Sequence, residues 1–304
     1  MTSVASERVT VAIPFHSGLA YLQEAVDSVR AQEDAEWQLL VVDDGGKEQG
    51  VESWVDSLRD ARITYLRNPR NLGMVPSWNR CLDAAVNELV CLLHADDRWL
   101  PGYLATVKRL AADHPRAVAL FTGAVVIGAH GRRRRSFQDD IKRVFVPSAT
   151  GDLVLSGEPA LRAVMRGNFL VCPTLCWRRS VLGERRFDPA WNQVQDLELV
   201  ARLLLCGETL AGSMAPAYAY RRHDASATAR QTVNLLRFQE EFELFDRVAD
   251  GARDRGWRRA ERTARAKLIL RLHLAWRVWI DLLRLCPRSA ARTMRFLMTP
   301  RRRA

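Results

Sequence analysis

Two pairs of neighbouring aspartates stand where chemistry can be done. Asp43-Asp44 follows the apolar run Gln38 to Val42, and Asp96-Asp97 follows shortly after the run Leu89 to Leu93. A strand buried on both faces has no use for two adjacent acids, so both pairs belong past the strand ends, in a crevice that collects charged oxygens. Asp and Gly also favour solvated turns, but two such ends in one sheet weigh toward the crevice. Another acid, Asp196, follows Gln195 at the start of a helical pattern, Leu197 to Leu205, which Gly207 closes. A carboxylate there suits the helix dipole. Competing chemistries lack their residues. No GxGxxG follows a strand, and neither GxxxxGK[ST] nor GxSxG occurs.

The elements that must position these acids alternate two periods. Val9 to Ile13 is a short β-rich run stopped by Pro14. Leu19, Leu22, Ala25, Val26 and Val29 then recur at helical spacing, with Ser17 as the expected N-cap. After the run to Val42 come a helix over about 49–60 and a strand over Ile63 to Leu66. A helix over Met74 to Val86, the Leu89 strand, a helix opened by Pro101 and a strand over Val118 to Phe121 complete the series. This alternation predicts an α/β fold, a mostly parallel sheet with helices on both faces, whose ligand crevice lies at the carboxyl ends of the strands. Arg132 to Arg135 follows Gly128 and Gly131 and reads as a loop or hairpin tip.

Composition agrees with a globular domain. The chain has 304 residues, 48% hydrophobic and 27% charged. Six cysteines form no CxxC pair and accompany no histidine cluster, which argues against a zinc ribbon or a disulfide scaffold and suits a reducing compartment. The polar segment Met1 to Arg8 lacks a signal-peptide core, and no run of apolar residues is long enough to span a bilayer. The net charge of +11 is uneven: Arg253 to Ala304 holds 16 basic and 3 acidic residues, so the rest of the chain sums to −2.

Six pieces in order resemble the inverting glycosyltransferase family 2, with its nucleotide-sugar-binding GT-A fold. They are Val11-Ala12-Ile13-Pro14, Val41-Val42-Asp43-Asp44-Gly45, Asn71-Leu72-Gly73 with Asn79, Asp96-Asp97 followed by Pro101, Gln195-Asp196 with Arg202 and Gly207, and Tyr220-Arg221 with His223. The resemblance runs from Val9 to Thr228. It implies a doubly wound domain over residues 1–230 and a helical extension over 231–304. It also implies a nucleotide-diphospho-sugar donor held through Mg²⁺ or Mn²⁺, because a carboxylate needs a cation to hold a phosphate. By the same resemblance Asp97 is a metal ligand and Asp96 contacts ribose or the metal, while His94, standing where the family has an acid, is a pocket-wall residue. Asp44, or less favourably Asp43, accepts a hydrogen bond from the base. Pro14, His16, Asn71, Gly73 and Asn79 belong to the nucleotide side, where His16 replaces an aromatic ring. Asp196 is the general base, with Gln195 replacing the family's first acid. Arg221, Arg222 and His223 face the diphosphate. Trp177, Arg178 and Arg179 stand on the acceptor side.

Residues 231–304 lie outside the resemblance. Leu235 to Val248 reads as one helix, and Arg258 to Leu285 as one long amphipathic helix closed by Pro287. Leu268, Leu272, Trp276, Trp279 and Leu283 share an apolar face, with arginines opposite. Tryptophan with arginine suits an anionic membrane surface, so the expectation is a peripheral protein at the cytoplasmic membrane face acting on a glycan or lipid-linked glycan. Two other readings compete. One is a non-catalytic sugar-nucleotide-binding module, suggested by Gln195 and His16. The other is a nucleic-acid binder using the arginine-rich tail, disfavoured by the near-neutral body and the lack of a nucleic-acid module.

Overall fold

The computed structural model describes residues 8–46, 48–134, 146–147, 151–222 and 235–298. A nine-stranded mixed sheet runs through it. Strand β1 (Val9–Phe15) lies between β2 (Trp37–Asp43) and β4 (Leu89–Leu92), and β3 (Ile63–Arg67) completes a four-stranded parallel block. Helices α1 (Leu19–Arg30), α2 (Val51–Ser57) and α3 (Met74–Ala84) make the crossovers. Alternate residues of β1 enter opposite layers. Val9, Val11 and Ile13 pack with Leu22, Val26 and Val29 of α1, while Ala12 belongs with Trp78, Cys81 and Leu82 of α3. Burial on both faces explains why this strand is apolar at every position but Thr10.

Beyond β4 the sheet becomes mixed. Strand β8 (Cys176–Arg178) pairs antiparallel with both β4 and β6 (Ala119–Ile127), and β9 (Leu210–Arg221) runs parallel to β6. The short strands β5 (Arg98–Trp99) and β7 (Leu153–Leu155) pair antiparallel with β9. The expected mostly parallel sheet therefore holds for the first half only. Strand β6 also continues well past Phe121. Its ladder with β9 shifts register at Gly123, where a Cβ would collide with the Met214 carbonyl.

Helix α1 corrects the expected cap. Gly18, at φ 96°, occupies the N-cap position, and Ser17 makes no capping bond. The Gly18 and Leu19 N–H groups donate instead to the Glu48 carboxylate, at 2.6 and 3.0 Å. An acid from a distant loop thus takes the place of a local hydroxyl.

One face of the sheet is covered by α1 and α4 (Tyr103–Asp113). The other is covered by α3, α5 (Gly157–Gly167), α7 (Gln195–Leu205) and the C-terminal helices; the single turn α6 (Arg179–Leu182) follows β8. The division expected at residue 230 falls outside the described residues, and the C-terminal helices do not form a separate body. Helix α8 (Leu236–Asp254) sends Phe238, Phe242, Phe245 and Val248 into the core shared with α5 and α7. Its fully buried Glu240 accepts the backbone N–H groups of Asn192 and Gln193 and the Asn192 side-chain amide, at 2.7–3.1 Å. Helix α9 (Arg258–Ala266) packs Ala260 and Ala264 into the same core, and Glu158 of α5 caps its first N–H groups.

The long helix expected over 258–285 is broken. Lys267 adopts φ 49°, and α10 (Leu268–Leu283) starts in a new direction. The Lys267 ammonium explains the break: it pairs with Asp246 at 2.6 Å and sits 5.1 Å from the Phe242 ring centre. Pro287 opens a helix, α11 (Pro287–Met298), where its missing N–H costs nothing. Helix α10 buries Leu270, Leu274 and Val278 and leaves its other apolar stripe exposed. Among the described residues no helix is long and apolar enough to cross a membrane.

Glu240→Ala should lower the unfolding free energy by about 2–4 kcal/mol, since several partly buried donors lose a charged acceptor at once. Glu240→Gln, which keeps an oxygen acceptor, should lose less. Urea unfolding of the full chain measures both.

Candidate active site

The ends of β1, β2 and β4 open into a cavity of about 640 Å³. Its first wall follows β1 and β2. Pro14, His16, Asp44, Asn71 and Gly73 line it. Asp44 is buried and organises the loop before α3. Its Oδ1 accepts the Asn68 side-chain amide and the Leu72 N–H, and its Oδ2 accepts the Gly73 N–H, each at 2.9 Å. The turn after it needs glycine twice. Gly45 has φ 65°, and a Cβ on Gly46 would strike the His16 carbonyl. The tight turn brings the loop bearing His16 beside Asn71, whose amide lies 3.4 Å from His16 Nδ1.

Asp43, the other candidate for the base contact, does not reach this cavity. Its Oδ1 accepts the Gly46 N–H at 2.9 Å and its Oδ2 accepts the Tyr65 hydroxyl at 2.5 Å. Burial, then the bond to Asp43, pushes the Tyr65 hydroxyl up to about 12, so it stays a donor. Asn79 is also displaced from the nucleotide side. Its amide brackets Phe187, donating to the carbonyl at 2.8 Å and accepting the N–H at 3.0 Å.

The second aspartate pair divides in the same way. Asp96 lines the cavity, whereas Asp97 is fully buried behind it. Both Asp97 oxygens are engaged: Oδ1 accepts the Arg221 N–H at 2.6 Å and Oδ2 accepts the Tyr218 hydroxyl at 2.9 Å. Burial, then the Asp96 charge, pushes the Asp97 carboxyl up, and the Arg221 and Tyr218 bonds oppose this. Of the pair expected at a metal, Asp96 therefore faces the cavity and Asp97 lies directly behind it.

Arg221 lines the cavity too, but its side-chain donors are committed to the protein. Its side chain is fully buried. The guanidinium donates to the Asp96 carbonyl at 2.6 Å, the Ala129 carbonyl at 2.7 Å and the Glu24 carboxylate at 2.6 Å, and it lies 4.6 Å from the Tyr21 ring centre. These bonds join the end of β9, the turn after β4, helix α1 and the turn at 128–131. That turn is the expected hairpin tip, closed by the Gly131 N–H to the Gly128 carbonyl; Arg135 lies outside the described residues. His223 also lies outside them. Arg222 does line the cavity, with its guanidinium 5.7 Å from the Tyr220 ring centre.

His94 sits beside Asp96 on the same wall, with its ring 5.0 Å from that of Trp78. Burial pushes its imidazole down, which keeps it neutral. Its Nε2 is buried without a hydrogen-bond partner, and its ligand atom lies within 4.8 Å of those of Asp96 and Asp97. A neutral imidazole whose Nδ1 lies 3.8 Å from Asp97 Oδ2, beside a second carboxylate, suits a divalent cation.

Asp196 faces the same cavity from the first turn of α7. Gln195 lines it too, buried, with its Oε1 unpartnered. The loop entering α7 is the one that Glu240 holds, so α8 positions Asp196 indirectly. Cys172 stands across from it. Burial, then Asp196 and Asp97, pushes the thiol well up, so it remains an S–H able to donate to Asp196. On the expected acceptor side, Trp177 is core, and Arg178 and Arg179 donate to the Ala111 and Val86 carbonyls.

Sequence reasoning missed Glu24, Tyr218, Cys172 and Glu240. Glu24 left no local signal, because it occupies an ordinary helical position. Glu240 and its neighbour Glu241 had a weak one, two acids amid the apolar pattern of α8.

The chain is similar to several known proteins. The family model described as Glycosyl transferase family 2 matches residues 10–181. An uncharacterized protein of Mycobacterium tuberculosis is 31% identical over 205 residues, covering 65% of this chain and 62% of that protein. The GalNAc(5)-diNAcBac-PP-undecaprenol beta-1,3-glucosyltransferase of Campylobacter jejuni is 26% identical over 185 residues, covering 60% of this chain and 55% of that protein. The chain thus spans less than two thirds of the length of these relatives. Among solved structures, the mannosyltransferase PcManGT of Pyrobaculum calidifontis with GDP-Man and Mn²⁺ superposes with a TM-score of 0.59 at 16% identity, covering 97% of this chain and 88% of that one. TarS 1-349 of S. aureus with UDP-GlcNAc gives 0.60 at 16% identity, covering 80% and 66%. At these identities the likeness is one of fold.

Removing the buried fork should be costly. Arg221→Gln should destabilise the chain by about 3–5 kcal/mol, because Glu24 and two carbonyls lose a charged partner. Tyr218→Phe, which deletes one donor, should cost about 1–3 kcal/mol. Thermal and denaturant unfolding rank the two.

Proposed function

The chain belongs to glycosyltransferase family 2, and from that premise we propose that it moves a sugar, with inversion, from a nucleotide-diphosphate donor to a glycan or lipid-linked glycan. The observation that carries this reading is one cavity into which three separate elements bring Asp44, Asp96 and Asp196. The wall of Pro14, His16, Asp44, Asn71 and Gly73 takes the nucleotide. Asp44 accepts a hydrogen bond from an N–H of the base while holding the loop beneath it. Arg222, with Arg237 of α8 on the same cavity, supplies positive charge for the diphosphate, since Arg221 is committed elsewhere.

A divalent cation, Mg²⁺ or Mn²⁺, would be held by Asp96 with His94, and Asp97 would fix their backbone from behind. Bound there, it offsets the charge that develops on the departing nucleoside diphosphate. The closeness of the His94 and Asp96 ligand atoms, within 4.8 Å of each other, supports this donor set. Asp196 accepts the proton of the acceptor hydroxyl as it attacks the anomeric carbon. Gln195 cannot substitute, because an amide does not titrate near neutrality. The Cys172 S–H orients the Asp196 carboxylate.

The chain works at the cytoplasmic face of the membrane, held peripherally by its basic C-terminal helices. The lipid-linked acceptor named for the Campylobacter relative supports such a placement, as does the exposed apolar stripe of α10.

Asp196→Asn should lower transfer kcat by ~100- to 10,000-fold and leave nucleoside-diphosphate affinity within about twofold, because a general base acts on the acceptor in the transition state. Calorimetric donor titration with a transfer assay separates the two effects, and undiminished transfer would move the base elsewhere. Asp96→Asn should abolish the Mn²⁺ dependence of nucleotide binding with little change in Tm. Asp97→Asn should lower Tm as well as activity, since it disturbs a buried support. Equal melting losses for both would contradict the division of roles between them.

A further inference from the structure

A second cavity, about 620 Å³, lies apart from the transfer site, between α5 and the α9–α10 pair. Four arginines line it beside Thr263 and five apolar residues. Arg162 and Arg166 stand one turn apart on α5, and Arg259 and Arg262 face them from α9. None of the four forms an ion pair with a described residue. The acids nearby are committed: Glu158 caps α9 through the Arg259 and Ala260 N–H groups, and Glu261 lies 3.8 Å from Arg265. Four guanidiniums around one groove repel each other, and an anion between them turns the repulsion into binding. Their planar forks suit phosphate oxygens.

The apolar half leads out of the groove. Met165, Ile269, Leu268 and Leu272 continue along α10 to Trp276, Trp279 and Leu283. Leu268 is 64% exposed, Leu272 56%, both tryptophans 50% and Leu283 61%. The two tryptophan rings lie 4.9 Å apart. The opposite stripe, Leu270, Leu274 and Val278, is buried against the body, so α10 lies flat with an uncovered apolar side. Such a continuous patch marks a binding surface.

We propose that this groove holds the phosphate of an anionic phospholipid in the bilayer on which α10 rests. The proposal deepens, and rests on, the peripheral membrane placement of the chain. Charge and apolarity select the occupant together: a lipid headgroup meets the arginines while its chains and neighbours cover Leu272, Trp276 and Trp279. A soluble phosphate or a nucleic acid would leave that stripe in water.

Vesicle flotation of the full chain tests this, with phosphatidylcholine alone and with an equal mixture of phosphatidylcholine and phosphatidylglycerol. Wild type should float on the mixture and scarcely on phosphatidylcholine. The variant R162Q/R166Q/R259Q/R262Q should lose ~1,000-fold in partitioning to the mixture, as expected for four charges at an anionic surface. The charge-matched variant R284Q/R288Q/R292Q/R295Q should lose about tenfold or less. Trp276→Ser with Trp279→Ser should keep the lipid preference but lose the part of the binding that survives high salt. Release of nucleoside diphosphate from the donor should stay at the wild-type rate in every variant, which reads the transfer site independently. Equal losses in the two arginine variants would mean a diffuse basic surface and overturn the groove. Salt-resistant binding that survives the tryptophan change would overturn the role of α10. If wild type floats on neither vesicle, the membrane placement itself fails, and the groove proposal with it.

Discussion

Arg221 enters the interior with its charge, and the geometry of the cavity depends on how that charge is met. Taking a guanidinium out of water costs several kcal/mol unless its donors find good acceptors. Here the acceptors are the Glu24 carboxylate and the carbonyls of Asp96 and Ala129, while its backbone N–H meets Asp97. No two of these partners come from the same local segment except the aspartates. The fork can be satisfied only when α1, the turn after β4, the 128–131 turn and β9 are all in place. Asp96 then has its backbone fixed from behind and its side chain at the cavity.

The same division recurs in each acidic doublet. In Asp43-Asp44 and Asp96-Asp97, one carboxylate is spent on protein hydrogen bonds away from the cavity, and its neighbour lines it. Chain geometry is the cause. At the end of β2 successive side chains point to opposite sides, so Asp43 and Asp44 cannot both face the ligand. Asp96 and Asp97 stand in the turn between β4 and β5, where the Arg221 and Tyr218 bonds draw Asp97 inward. The inner acid stiffens the turn that aims the outer one. At α7 the corresponding support comes from farther away, through Glu240 on a helix that follows the sheet in sequence.

The C-terminal helices thus have two uses. Helices α8 and α9 complete the core and brace the loop before Asp196. Helix α10 shares that core along one stripe and shows the other to the outside, beside a groove of arginines that form no ion pair with a described residue. Arg259 and Arg262 of the tail and the exposed apolar stripe that starts at Leu268 are therefore parts of one surface. That surface lies on the same helices that help position the catalytic side.

Local pattern was enough for the parallel block, for the acids at the ends of β2 and β4, and for Asp196 at the start of α7. Periodicity and strand-end position are properties of a few neighbouring residues, and those survive in sequence. Tertiary structure decided which acid of each pair reaches the cavity, because that depends on partners such as Tyr65 and Tyr218 on other strands. It replaced the expected Ser17 cap with Glu48, turned Arg221 from a ligand contact into a buried tie, and broke the long C-terminal helix at Lys267 for the sake of Asp246. Each of these rests on a charge finding its counterpart across many residues of chain. A buried or half-buried charge is stable only where such a counterpart is folded against it, and no local window of sequence contains both.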